Sequence, residues 1–189
     1  MKPPKVSLSK IEQEIDLKEF FDADLAESRG IKEAIAQAVI DKIVERTEGG
    51  EGLRFSSNGA ATPIKLKSPY SKMYAESLEF KAAGKSKNKV NMTLSGDMLA
   101  GIDVGSVEGN KIKIYIRDDQ VPKAFNHLTG DTVPARPFFG ISKSEMEDIA
   151  SKFRVDVEAA RPRTDFSLRT EDDALTALDR LSNILDDND

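Results

Sequence analysis

Hydrophobic spacing changes character along the chain. In RGIKEAIAQAVIDKIVERTEGG, Ile31, Ile35, Ala38, Val39 and Ile43 recur at close to 3.6 residues. That period predicts an amphipathic helix, which Gly49 and Gly50 end. Further on the period drops to two. Val90, Met92 and Leu94 alternate with Asn91, Thr93 and Ser95 in VNMTLSG, as in a strand with one buried face. After a short turn or helix around Met98 and Leu99, VGSVEGNKIKIYI sets Ile112, Ile114 and Ile116 against Lys111, Lys113, Tyr115 and Arg117. With Glu108-Gly109-Asn110 as a tight turn, this stretch reads as an antiparallel hairpin. QVPKAFNHLTG follows as a short helix, with Pro122 in its first turn and Gly130 closing it.

DTVPARPFFGIS reads as a final edge strand, where prolines are tolerated. If it is extended, Phe138 and Phe139 point to opposite faces, one into the core and one onto a second surface. Ser142 and Glu145 have capping-box spacing, and Met146, Ile149 and Phe153 give the helix they open an apolar stripe. A last helix is expected near the C-terminus, where Leu175, Leu178, Leu181 and Leu185 fall on one face behind Thr170 as N-cap. Its apolar stripe requires a partner, and another copy of the chain is the candidate.

Two stretches are less regular. Residues 9–28 contain Ile11, Ile15, Leu17, Phe20, Phe21 and Leu25, which partly suit a helix, but Pro3 and Pro4 ahead of them point to a loose leader. From Glu51 to Ser71, Gly52, Gly59, Pro63 and Pro69 break regular structure. That segment reads as an extended loop with at most a short strand at Ile64–Leu66, followed by a short helix or turn between Tyr70 and Phe80. The expected fold is α+β: a small antiparallel sheet flanked by an N-terminal and a C-terminal helix, with extended terminal arms. The corresponding divisions are an arm over 1–29, a core over 30–153 and a C-terminal arm over 154–189.

Composition narrows the function. With no Cys and one His, the 189-residue chain has no disulfide scaffold, thiol nucleophile, cysteine-bound cluster or histidine-rich metal site. No apolar run reaches the length of a membrane span, and the first residues lack the apolar stretch of a signal peptide. The net charge of −5 is unevenly distributed. Residues 1–53 carry 8 basic and 12 acidic groups, 54–137 carry 13 and 8, and 138–189 carry 7 and 13, giving −4, +5 and −6. Lys81, Lys85, Lys87 and Lys89 form a basic run, but without an interleaved aromatic or Arg it reads as a solvated loop.

Catalytic material is thin. His127, Asp131 and a serine lack any motif that would position a nucleophile. Gly101, Gly105 and Gly109 are wrongly spaced for a phosphate loop, and Asp118-Asp119 and Asp172-Asp173 lack calcium-loop spacing. The expectation is therefore no enzyme, no cofactor and no metal. Arg136 is more informative, because Pro134 and Pro137 hold it on a stiff backbone from which a guanidinium pairs with a carboxylate at low entropic cost. His127 reads as a hydrogen-bonded packing residue or a contact.

The order of these pieces resembles the tailed-bacteriophage virion morphogenesis proteins, of the tail-completion or head-to-tail connector kind. The likeness covers roughly residues 31–153, and its telling motifs are L-S-G-D-M-L at 94–99, H-x-x-G at 127–130 and P-A-R-P-F-F-G at 134–140. The resemblance implies a non-enzymatic subunit assembled as a ring, a hexamer as first guess, at the neck of a virion built in the host cytoplasm. Its partners would be its own copies and neighbouring neck, portal-side or tail proteins, with DNA passing through the lumen without specific binding. His127, Arg136, Phe138 and Phe139 are then the interface candidates, with Leu175, Leu178, Leu181 and Leu185 as arm contacts. A tail terminator is the alternative within the class; a small nucleic-acid-binding accessory protein using Lys81–Lys89 is the alternative outside it.

Overall fold

A computed structural model describes residues 2–21, 29–56, 59–66, 70–87, 90, 92, 96–131 and 133–160. The elements are β1 (Lys5–Val6), β2 (Ile11–Asp16), α1 (Arg29–Glu48), β3 (Glu51–Phe55), β4 (Ala61–Lys65), α2 (Lys72–Ala75), α3 (Leu78–Ala82), α4 (Asp97–Ala100), β5 (Ile102–Glu108), β6 (Lys111–Ile116), α5 (Val121–Thr129) and α6 (Lys143–Ala160). The fold is α+β. A four-stranded antiparallel sheet, in the order β1-β2-β6-β5, packs against α1 and α6.

The residues expected to form an N-terminal arm instead supply half of that sheet. β2 pairs with β6 from Glu12↔Tyr115 to Asp16↔Lys111, and Ile11, Ile15 and the following Leu17 are fully buried. The β2 alternation is regular once Gln13 is placed on the core face, where it is 1% exposed. Its amide is satisfied there: Nε2 donates to the Lys2 carbonyl at 3.0 Å, and Oε1 accepts the Ile141 N–H at 2.9 Å. On β6, Ile112, Ile114 and Ile116 face the same core. Ile35, Ala36, Val39, Ile40 and Ile43 of α1 cover it. Each such aliphatic side chain contributes about 1.5–3 kcal/mol by leaving water. The opposite sheet face is polar, with Lys111 against Glu14 at 2.8 Å and Lys10 against Glu12 at 2.9 Å.

The expected hairpin is present as β5–β6, with an irregularity between Val104 and Ser106. The expected loop after Gly50 is a second hairpin, β3–β4. Its breakers are placed harmlessly. Pro63 lies opposite Leu53, whose N–H turns away from β4 to the Pro137 carbonyl at 2.9 Å, so this pair forms no ladder bond and the missing proline N–H costs none. Gly52 has no room for a side chain, since a Cβ there would stand 2.3 Å from the Pro137 carbonyl oxygen. Val90 and Met92 are buried as alternation predicts, but neither lies in a strand, and Leu94 falls outside the described residues.

The segment 133–142 is not the expected edge strand. Backbone groups along it are bonded individually, by side chains and by the backbone of Leu53 in β3 and His127 in α5. Arg46 in α1 donates from Nη2 to the carbonyls of Phe138 and Gly140, both at 2.8 Å, and from Nη1 to both Glu145 oxygens at 2.7 and 2.8 Å. Glu145 in turn completes the predicted capping box, accepting from the Ser142 hydroxyl at 2.8 Å and its N–H at 2.9 Å. Burial pushes the Glu145 carboxyl up, but the Arg46 guanidinium and the Ser142 hydrogen bonds outweigh it, and the group lies below the usual carboxylate range. Phe138 and Phe139 are both fully buried in the monomer, so neither covers a second surface as expected.

Candidate functional site

The motifs His127–Gly130 and Pro134–Gly140 form one unit. The Arg136 N–H donates to the His127 carbonyl, and Gly130, which closes α5, leaves no room for a Cβ against Ala135, 2.9 Å away. With Gly96 and Met98 from the third motif, they border one cavity of about 580 Å³. Three short motifs spread over some forty-five residues thus converge on a single space, closed on the far side by Tyr70 and Tyr74.

The aromatic wall is a triad. Tyr70, Tyr74 and Phe80 lie with ring centroids 5.1–5.3 Å apart in tilted and edge-on arrangements, which the ring quadrupoles favour. The Ser71 and Ser77 hydroxyls cap the two short helices that hold Tyr74 and Phe80, and Phe80 anchors the group in the core. Two cations sit on the rings. Lys85 Nζ is 4.8 Å from the Tyr70 centroid and 3.3 Å from its hydroxyl, and Arg136 Cζ is 5.1 Å from the same ring. Lys123 on α5 adds a third cation at the rim.

The described cavity walls hold Lys85, Lys123, Arg136 and His127. The imidazole registers these cations. Burial, then the charges of Arg136, Lys123 and Lys85, push His127 down from 6.5 to about 4, so it is neutral at physiological pH. Burial likewise lowers Arg136, while the two tyrosines work in the opposite direction. Tyr74 is raised, chiefly by burial. Met98 and Met92 add buried apolar wall, and Met92 holds a left-handed backbone at φ 55°, costly for a residue with a side chain.

The sequence-derived candidates separate accordingly. His127 and Arg136 come together here, but Arg136 is 5% exposed and faces the cavity, not the outer surface its flanking prolines implied. Phe138 and Phe139 belong to the core, and Leu175, Leu178, Leu181 and Leu185 lie outside the described residues. The lysine run also needs correction: Lys81 and Lys87 are exposed, whereas Lys85 turns onto the aromatic wall that the local sequence lacked. The signal for that wall was the pair Tyr70 and Tyr74, four residues apart. Among the described residues no three His, Asp or Glu side chains are grouped to hold a metal, and no helix is long and apolar enough to cross a membrane. Comparison with protein-family models, with curated proteins and with solved structures returned no match.

Proposed function

We propose that the chain is a non-enzymatic structural subunit of a tailed-phage virion, closing into a ring at the head–tail junction where head and tail are joined. The motif order described above supports this identity for the assembly, and one structural observation supports the mode of closure. The four-stranded sheet ends in two unlike edges, the two-residue β1 and the seven-residue β5, and among the described residues β5 pairs only on its β6 side. An unpaired edge strand is a template for another chain. Pairing of the β5 edge of one copy with the unlike β1 edge of the next is head-to-tail, and a head-to-tail contact closes into a ring when its rotation allows.

Native mass spectrometry of the purified chain and of isolated virions tests this. A closed oligomer, and the chain present in particles, are expected; a strict monomer absent from particles overturns the reading. Placing charge on the half-buried β5 edge with Val104→Lys and Ser106→Lys should leave a folded monomer and reduce head–tail joining. Particle microscopy then fixes the position of the ring. Filled heads apart from tails of normal length mark a connector, whereas tails of abnormal length mark a terminator.

A further inference from the structure

We infer that the β1 edge and the groove beside it receive the β5 edge of a second copy in one antiparallel register, with Lys5 opposite Asp103 and Val6 opposite Ile102. The inference rests on the ring reading above and specifies the contact which that reading requires. The four strands run alternately up and down, so copies added head-to-tail in one orientation bring β5 against β1 antiparallel.

The register follows from rows that already cross the sheet. One row reads Lys5, Glu12, Tyr115, Asp103, and continuing it unshifted into the next copy sets a lysine beside an aspartate. In the adjoining row Val6 pairs with Ile11 and Ile102 with Ile116, so the same continuation sets an apolar side chain beside an apolar one. The backbone agrees. The Ser7 N–H donates to the Lys10 carbonyl at 2.9 Å, and the Arg117 N–H to the Gly101 carbonyl at 2.8 Å. Ladder bonds alternate along an antiparallel pair, so the neighbouring residues Val6 and Ile102 turn their N–H and C=O groups to the open edges. The Val104 N–H faces the same way and is held by the Asp103 carboxylate at 2.7 Å. A one-residue slip would set outward groups against inward ones and charged side chains against apolar ones.

Two paired residues bury far less than a stable interface needs, and β1 spans about 7 Å against about 23 Å for β5. In this register Val104 to Glu108 run on past Lys5 along Pro4 and Pro3, which with Val6 border a groove of about 1170 Å³. Leu53 and Phe139 are buried beneath it, and its charged rim residues, Arg54 and Lys65, are exposed and both basic. Residues 57–58, 67–69 and 132, which adjoin the groove in sequence, include no Asp or Glu. The overhanging strand brings two valines and the exposed carboxylate of Glu108, so both its apolar and its charged character match the groove.

The sequence has no Cys, so disulfide trapping on the full chain reads the register directly. Lys5 and Asp103 are exposed, and here they form a non-hydrogen-bonded pair with Cα atoms about 4.5 Å apart, within disulfide reach. Within one copy they lie on opposite edges of the sheet, three strand spacings or about 14 Å apart, so Lys5→Cys with Asp103→Cys bridges only between copies. Mild oxidation should give a ladder of covalent oligomers, about tenfold stronger than from Lys5→Cys with Glu108→Cys. Lys5→Glu, and Arg54→Glu with Lys65→Glu, should each weaken self-association about fivefold at unchanged melting temperature, and Lys5→Asp with Asp103→Lys should restore it. Absence of the ladder, equal ladders from the two cysteine pairs, dimers from Asp103→Cys alone, preferential trapping of Lys5→Cys by Leu181→Cys, or indifference to both charge reversals would each overturn the inference. A closed oligomer without the ladder overturns the register and leaves the ring. A ladder of open chains, or one from a chain absent from virions, overturns the ring reading and leaves the contact.

Discussion

Two arginines, 7% and 5% exposed, occupy opposite ends of the same buried segment, and their surroundings differ in kind. Arg46 is saturated. One carboxylate takes two of its N–H groups, and two backbone carbonyls take others, all within 2.8 Å. Arg136 stands over a tyrosine ring beside a neutral imidazole and a lysine. A buried charge with its counter-charge beside it is a fastening. A guanidinium laid on a tyrosine ring is held through the face of the ring instead. Burial and residue type are the same in both cases, and what each guanidinium meets differs: a carboxylate and two carbonyls for Arg46, an aromatic face for Arg136.

The largest perturbation should come from breaking the fastening on one side only. Glu145→Ala leaves the Arg46 guanidinium buried without its counter-ion and should cost about 3–5 kcal/mol, read as a lower urea midpoint at unchanged slope. Pairing Arg46→Met with Glu145→Leu should recover part of that loss. Full recovery is not expected, because Arg46 also satisfies the carbonyls of Phe138 and Gly140. Next comes Gly140→Ala. Gly140 holds φ 117°, a conformation a side chain resists, and a Cβ would stand 2.9 Å from the Phe55 ring. A loss of about 1–3 kcal/mol in chemical denaturation is expected.

The Arg136 end should respond to acid first. His127 has its pKa lowered to about 4 in the folded chain against about 6.5 unfolded, so the unfolded state binds the extra proton between those values. Its contribution to stability is complete above pH 6.5 and is lost as pH falls towards 4. His127→Gln should flatten the melting-temperature profile in that window. Glu145, lowered from 4.5, keeps its contribution above that value and loses it only as pH falls from there. The smallest effect expected is a shift without loss of fold: Lys123→Ala removes an exposed charge near the imidazole and should raise the His127 pKa by less than burial depresses it, as measured by NMR titration. If instead Lys123→Ala destabilises the protein as much as Glu145→Ala does, the two ends are alike and the comparison fails.

What was legible in the sequence followed from local periodicity. α1, the β5–β6 hairpin, α5 and the Ser142–Glu145 box are each written within a few turns or one tight loop. β2 was obscured by a single residue, since Gln13 on the core side breaks a hydrophobic alternation, and its partners Lys2 and Ile141 are named only by the fold. The 133–142 segment carried a strand-like pattern, but its backbone is satisfied by Arg46, Leu53 and Gln13, residues about 80 to 130 positions away. The cavity was half legible. His127 and Arg136 stood out from their motifs, while the tyrosines that give their charges a site lie more than fifty residues upstream and met Lys85 only in three dimensions.

The central place of β2 also has a consequence for biosynthesis. Ile15 is paired with Ile112, so about 100 residues must be synthesised before the partner strand exists, a delay of about 5–20 s at ordinary translation rates. Throughout that interval a strand whose Ile11 and Ile15 are destined for complete burial has no sheet to join. Closure of so long a loop must precede any reward from the contacts it makes, which favours a late, cooperative collapse over stepwise growth from the N-terminus. The nascent chain is thus most exposed to mispairing or chaperone capture before β6 emerges, and slowing translation upstream of residue 111 should lengthen that window.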